Sequence, residues 1–277
     1  MSKQLGTIIL VVVLACESQA QRKIFRGVDI DITQAPYQIS FQYYNKTTRA
    51  FIHGCGGSII APTWILTAGH CVHKVTLNHI KNKEIKMIVG MTKLSEPGIS
   101  HQIKNVTIHN NYQVIKNPGP IKSKYTINDI ALIELTSPIE YTDRAQPIHL
   151  PSDNDLPRLG TQCQVQGWGL INIDTKPDHL QSTTVKILDS DSCTFEWMKM
   201  INLQKSGAPY ICAMGDKNNR SCRGDSGGAL VCNGVQNGIV AYGSATCTHT
   251  PVAPSAFTDV LLMRDFISGA TNNEVKF

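Results

Sequence analysis

The sequence predicts an all-β fold, and two observations carry that reading. Short segments rich in β-branched residues recur along the chain, and Gly, Pro, Asn and Asp fill the gaps between them. Residues 37–41, 58–60, 85–89 and 129–135 form the series in the first half. Residues 165–168, 183–188, 229–231 and 238–242 continue it in the second. Many short strands with turn signals between them build a barrel or a sandwich. Helical spacing is confined to 261–270 and the surroundings of 193–200. The stretch 138–157, rich in Pro and Asp, is the expected join between two halves.

Composition removes several classes. The chain has 277 residues, 42% hydrophobic and 17% charged. That suits a large buried core and excludes disordered, collagen-like and coiled-coil chains. The N-terminus reads as an export signal: Lys3, an apolar run over 5–15, then the small residues of Ser18-Gln19-Ala20. The expected cut follows Ala20, making residues 1–20 the signal and the protein secreted and extracellular. The apolar run is too short to span a bilayer, so no membrane association is expected. Without residues 1–23, which hold Lys3, Glu17, Arg22 and Lys23, the chain keeps 23 basic and 20 acidic residues, a net charge of +3. With no basic helix or stacking motif, nucleic acid is not an expected partner.

Loss of the signal takes Cys16 with it and leaves eight of the nine cysteines: Cys55, Cys71, Cys163, Cys193, Cys212, Cys222, Cys232 and Cys247. An even number in an exported chain points to disulfides rather than to a metal site. No CxxC pair or paired-histidine spacing argues for zinc. Counting alone leaves the pairing open.

Three short segments carry chemistry together. They are Leu66-Thr67-Ala68-Gly69-His70-Cys71, Asn128-Asp129-Ile130-Ala131-Leu132 and Gly224-Asp225-Ser226-Gly227-Gly228. A serine hydroxyl becomes a useful nucleophile only when a base takes its proton. An imidazole does this near neutral pH, and a buried carboxylate fixes its tautomer and steadies the imidazolium. The order His, Asp, Ser is one of the chain orders in which this triad occurs.

On those three segments and the cysteine frame, the chain from Ile24 nearly to its end resembles the trypsin/chymotrypsin-type serine endopeptidases. The resemblance implies a fold of two six-stranded antiparallel β-barrels with the active site between them and a short C-terminal helix. It implies His70 as general base and acid, Asp129 as its orienter and Ser226 as nucleophile. The backbone N–H groups of Gly224 and Ser226 would form the oxyanion hole. It pairs the cysteines as Cys55–Cys71, Cys163–Cys232, Cys193–Cys212 and Cys222–Cys247. No cofactor is implied. The implied partners are a protein or peptide substrate, an activating protease and protein inhibitors, with the enzyme a monomer.

The resemblance also implies activation by a cut. Arg22-Lys23 precedes Ile24-Phe25-Arg26-Gly27, so residues 21–23 would be a propeptide and 24–277 the peptidase domain. Cutting after Lys23 would free the Ile24 amine to pair with Asp225, a buried carboxylate that needs a partner. The family usually has Val and Gly where Phe25 and Arg26 stand.

The specificity pocket departs from the family pattern. Trypsin-like members carry Asp six residues before the serine, where this chain has Arg220. Ser221 is expected beside it, Arg223 at the rim, Tyr242 and Gly243 on one wall and Ser255 on the other. A cationic base would reject Lys and Arg substrates. Three readings stay open: cleavage after Asp or Glu, which an Arg fork matches; a plugged pocket suited to small residues; and trypsin-like cleavage. Ala241 stands where the family usually has a serine whose hydroxyl supports the catalytic aspartate, so one hydrogen bond is expected to be missing. Met91 replaces the Glu of calcium-binding members, so no calcium loop is expected. Long basic loops are expected over 72–89 and 112–128, flanking the cleft. Asn45 and Asn105 lie in glycosylation sequons. The alternative reading is a weakly active, protease-like binding or regulatory protein.

Overall fold

The computed structural model describes residues 27–116, 124–172, 174–189, 210–216, 219–243 and 254–277. Sixteen strands lie among them, in two seven-stranded antiparallel sheets and one two-stranded sheet. The first sheet takes its strands from the N-terminal half. Its centre is a hairpin of β2 (Gln38–Asn45) and β3 (Ala50–Ala61). Asn45 shapes the turn by accepting the Thr47 and Thr48 backbone N–H groups at 2.8 and 3.1 Å. Around this hairpin the order is β6 (Ile99–His101), β5 (Ile85–Val89), β2, β3, β4 (Trp64–Thr67), β10 (Ala131–Leu135), β7 (Ile103–Ile108). The two edges, β6 and β7, are one run of chain interrupted only at Gln102. The strand that pairs with β5 thus turns directly into the one that pairs with β10, and the sheet curls into a barrel shape.

The second sheet contains β11 (Gln162–Gly167), β12 (Gln181–Ile187), β13 (Tyr210–Met214), β14 (Ala229–Cys232), β15 (Val235–Tyr242) and β16 (Ser255–Asp259). Pairing of β12 with β13 closes these six into a barrel, and β1 (Val28–Asp29) adds to β12 from outside. A 3₁₀ turn over Leu261–Met263 leads into the C-terminal helix, Arg264–Ala270.

Alternation explains both interiors. Ile39, Phe41, Ile59, Ile65, Met87 and Ile133 fill the first barrel. Val165, Val185, Leu230 and Phe257 fill the second. A third cluster, including Leu66, Trp168, Ile239 and Met263, joins the two. Polar bonds cross the same seam: Ser58 donates to Gln236 Oε1 at 2.6 Å, and Tyr37 to Gln166 Oε1 at 2.9 Å. Met91 is part of the joining core.

The expected loops contain ordered elements. Within 72–89, a short helix α2 (Leu77–Lys81) starts at Thr76, whose hydroxyl accepts the His79 N–H while His79 Nδ1 accepts the Thr76 N–H. The expected loop 112–128 is corrected to a hairpin of β8 (Gln113–Lys116) and β9 (Lys124–Ile127), which form the two-stranded sheet.

Candidate active site

Strand register assembles the site. In the β4–β10 pair, Thr67 lies opposite Ala131. The chain leaving β4 therefore runs beside the chain entering β10, which brings His70, on the first turn of α1 (Gly69–Val72), next to Asp129. Asp129 is wholly buried and its carboxylate grips His70 twice. Oδ1 accepts the His70 backbone N–H and Oδ2 meets Nδ1, both at 2.7 Å. A carboxylate facing Nδ1 fixes the proton there and leaves Nε2 as the basic nitrogen. Gly69 leaves this approach uncrowded: a Cβ there would lie 3.0 Å from the Tyr112 ring and 3.2 Å from Asp129 Oδ1, so one of them would have to shift. Burial and the Asp129 charge push the Tyr112 hydroxyl up to about 12.

Ser226 arrives from the second barrel. Its carbonyl accepts the Gly56 N–H at 2.7 Å and lies 3.6 Å from Cys71 Sγ. Cys71 Sγ is in turn 3.8 Å from His70 Nε2. The serine and the imidazole are thus neighbours across the Cys55–Cys71 disulfide, without a hydrogen bond between Ser226 Oγ and Nε2 among the described residues. Such bonds are often long before substrate binds. The turn holding Ser226 depends on glycine: Gly224 and Gly227 have φ of 104° and 81°, and a Cβ on Gly227 would fall 2.3 Å from Thr67 Oγ1. Among the described residues, the backbone N–H groups of Gly224 and Ser226 donate to no protein acceptor.

Asp225 turns away from these two N–H groups. Its oxygens accept the Gly169 and Cys222 N–H groups, each at 2.8 Å, and Gly167 and Gly169 leave room for it. Burial raises its carboxyl to about 6 against these two bonds, and no cation among the described residues pairs with it. Lys23 and Ile24, expected in activation, lie outside the described residues.

Two neighbours of the site carry no signal in the sequence. Thr126, on β9, donates its hydroxyl to Asp129 Oδ2 at 2.8 Å in a buried setting. It thus supplies the kind of bond expected to be missing at Ala241, from a different strand. Buried His53 accepts from or donates to Ser40 Oγ at 2.8 Å through Nδ1 and meets the Gly224 carbonyl at 2.9 Å through Nε2. Burial, followed by Lys176, holds its pKa down near 3, so the ring is neutral. A carbonyl only accepts, so Nε2 carries the proton and Nδ1 takes the Ser40 hydroxyl. Lys176 donates to the His53 carbonyl at 2.6 Å. Neither Thr126 nor His53 has a motif spacing that would have flagged it.

A cavity of about 190 Å³ lies beside Ser226, with Ser221, Arg223, Tyr242 and Gly243 in its lining. Arg220 is fully buried and is not among the lining residues. Desolvation draws its guanidinium pKa down. Ser255 is also buried. Its hydroxyl lies 2.7 Å from Ser221 Oγ and accepts the Ser221 N–H at 3.2 Å, so it underpins Ser221. Tyr242 packs edge-on against Tyr210, whose hydroxyl donates to the Thr126 carbonyl.

The disulfides Cys55–Cys71 and Cys163–Cys232 are formed. Cys212 and Cys222 are also disulfide-bonded, while Cys193 and Cys247 lie outside the described residues. Cys55, His70 and Cys71 cluster closely enough for a metal, but the disulfide removes both thiolates. Asn45 sits at the β2 end and Asn105 is exposed on β7. No helix among the described residues is long and apolar enough to cross a membrane.

The family model described as Trypsin matches residues 24–267. Kallikrein 1-related peptidase b11 of Mus musculus is 33% identical over 259 residues, covering 89% of each chain. Chymotrypsin-2 of Vespa crabro is 32% identical over 250 residues, covering 88% of this chain and 98% of its own. The structure of neuropsin, a serine protease expressed in the limbic system of mouse brain, superposes with a TM-score of 0.70 at 27% identity, covering 88% of this chain and 98% of that one. A two-barrel fold of this topology, matched over most of its length by that model and these relatives, means that the chain belongs to the trypsin family of serine proteases.

Proposed function

We propose that this serine endopeptidase works through Ser226, His70 and Asp129. The observation that carries the assignment is the double grip of buried Asp129 on His70. In the first step His70 Nε2 takes the Ser226 proton as Oγ attacks the scissile carbonyl. The tetrahedral oxyanion is received by the N–H groups of Gly224 and Ser226. His70 then returns the proton to the leaving amine, giving an acyl-enzyme. Water, deprotonated by His70, releases the acid. Asp129 remains ionised and steadies the imidazolium throughout.

The finer parts of the reading concern export, activation and specificity. Residues 1–20 direct export and are removed. A cut after Lys23 frees the Ile24 amine, which enters beside Asp225 and ionises a carboxylate that burial otherwise keeps protonated up to about pH 6. At the substrate residue before the scissile bond, the cavity takes small, uncharged side chains. Support comes from its volume of about 190 Å³ and from a lining that holds no acidic side chain to receive Lys or Arg. Acidic side chains are the second reading, supported by Arg223 in the lining.

The test is a peptide-library cleavage profile of protein cut at the Lys23–Ile24 bond, beside a Ser226→Ala control. The expected result is cleavage after small residues, absent from the control. Cleavage that persists in Ser226→Ala overturns the triad assignment, and cleavage after Lys or Arg overturns the pocket assignment.

A further inference from the structure

The two N–H groups assigned to the oxyanion point where their peptide planes aim them. The carbonyl in the plane of the Gly224 N–H belongs to Arg223, and the carbonyl in the plane of the Ser226 N–H belongs to Asp225. Each oxygen accepts a backbone bond. The Gly228 N–H holds the Asp225 oxygen at 2.9 Å, within the same turn. The Leu170 N–H holds the Arg223 oxygen at 2.8 Å, and it comes from the loop between β11 and β12. A peptide is planar and trans, so a carbonyl held on one side fixes the direction of the N–H on the other. The aim of the Gly224 N–H is therefore set by the loop that carries Leu170.

That loop is tied to itself. Near its start the Gly169 N–H donates to Asp225 Oδ1 at 2.8 Å. The Ile171 N–H donates to the Thr175 carbonyl at 3.0 Å, and Asn172 Oδ1 accepts the Asp174 and Thr175 N–H groups at 3.1 and 2.8 Å. Lys176 follows directly, and its Nζ donates to the His53 carbonyl at 2.6 Å in a partly buried setting. Two aspartates lie within two residues of Lys176. Asp178 instead accepts the Ser95 N–H and hydroxyl, each at 2.8 Å, and Asp174 accepts the Thr175 hydroxyl at 3.2 Å. The ammonium is thus directed at β3. From that strand His53 Nε2 meets the Gly224 carbonyl at 2.9 Å, and the Gly56 N–H meets the Ser226 carbonyl at 2.7 Å. Lys176 therefore links the loop that aims the Gly224 N–H to the strand that holds the two neighbouring carbonyls. A charged donor makes this link stronger than a neutral one would.

We propose that Lys176 is a positioning residue for the oxyanion donor Gly224 N–H. It anchors the 169–176 loop to His53, so that Leu170 keeps the Arg223 carbonyl in place while the tetrahedral oxyanion forms. The inference rests on the reading of Ser226 as nucleophile with these two N–H groups as its oxyanion donors. Without the ammonium the loop loses this tie to the first barrel, and the peptide between Arg223 and Gly224 gains freedom to turn. The oxyanion exists only after attack, so the loss falls on the chemical step rather than on substrate binding.

The test uses protein cut before Ile24 and p-nitrophenyl acetate, an activated ester whose acetyl group makes no demand on the specificity pocket. Burst kinetics by stopped flow give its acylation constant and its dissociation constant separately. Loss of an oxyanion donor costs about 100- to 1,000-fold, so a donor that remains but turns freely should cost about tenfold in acylation. Lys176→Met should show that loss, with the dissociation constant unchanged. Lys176→Arg keeps a charged N–H donor and should recover most of the acylation constant. A wild-type acylation constant in Lys176→Met, whatever its melting temperature, overturns the proposal. A loss confined to the dissociation constant, or Lys176→Arg as slow as Lys176→Met, overturns it as well. Ser226→Ala reads the underlying assignment. A burst that survives in Ser226→Ala refutes the nucleophile and this inference with it, whereas a burst abolished there but unchanged in Lys176→Met refutes this inference alone.

Discussion

Replacing Thr126 by Val removes one hydroxyl and keeps the shape of the side chain. Its bond to Asp129 Oδ2 is 2.8 Å long, in a site where Asp129 has no exposed surface. A hydrogen bond to a buried charge contributes about 1.5–3 kcal/mol. If the bond positions Asp129 for His70, that magnitude corresponds to a rate loss of about 10- to 100-fold. The hydroxyl meets Oδ2, the same oxygen that faces His70 Nδ1. The assay is the second-order rate of fluorophosphonate inactivation, which reports Ser226 reactivity without depending on the specificity pocket. Thr126→Val is expected to react about 10- to 100-fold more slowly, by the same estimate. Thr126→Ser keeps the hydroxyl and should retain the native rate, which separates positioning from simple destabilisation. Ala241→Ser, added to Thr126→Val, offers a hydroxyl from the strand on which the family carries it and should recover part of the rate. A wild-type rate in Thr126→Val, whatever its melting temperature, would refute the reasoning.

Other consequences concern stability. In the uncut chain Asp225 has its carboxyl raised from 3.8 to about 6, so between those pH values the folded state holds a proton that the unfolded state has released. Folding stability therefore falls as pH rises through that window and levels off above it, by about 3 kcal/mol for this group. Urea unfolding of the uncut wild type and of Asp225→Asn across the window should show this decline only in the wild type, and parallel curves would refute it. Opening the Cys163–Cys232 bond, which spans 69 residues, with a double Ala substitution should cost about 4 kcal/mol by loop-closure entropy. The Cys55–Cys71 bond spans 16 and should cost about 3 kcal/mol. Equal midpoints for the variants and the wild type in denaturant would contradict that ordering.

The barrels were legible because their strands are half-buried. Residues 85–89 and 129–135 place apolar side chains where the cores need them, and β5 and β10 form there. The β8–β9 hairpin was not legible. Its first strand is exposed almost throughout, so nothing imposes an alternating pattern on Gln113–Lys116, and the segment reads as loop. The helix α2 was hidden for a related reason: no residue in it is buried, and its start is closed by His79 where a Glu or Gln would have signalled a capping box. In the site, Gly69, His70 and Gly227 announce themselves by residue type and spacing. Thr126 does not, because a threonine three residues before an aspartate is common in turns. Only the register of β8 against β9, which sets Thr126 opposite Val114, and the return into β10 aim its hydroxyl at Oδ2.

The departures from the family pattern take on a different meaning once they are placed in space. Arg220 and Ala241, taken singly from the sequence, are the ground for the alternative reading of a weakly active, protease-like binding or regulatory protein. In the folded chain the Ala241 position loses a hydroxyl, yet Asp129 Oδ2 still accepts two bonds, from Thr126 and from His70. The Asp129 carboxylate therefore has a hydroxyl donor on Oδ2 without the serine. Arg220 is fully buried and does not line the cavity, so it makes no direct contact with what enters there. Neither departure disturbs the pairing of Asp129 with His70, which is the part of the proposed chemistry that the geometry displays most directly.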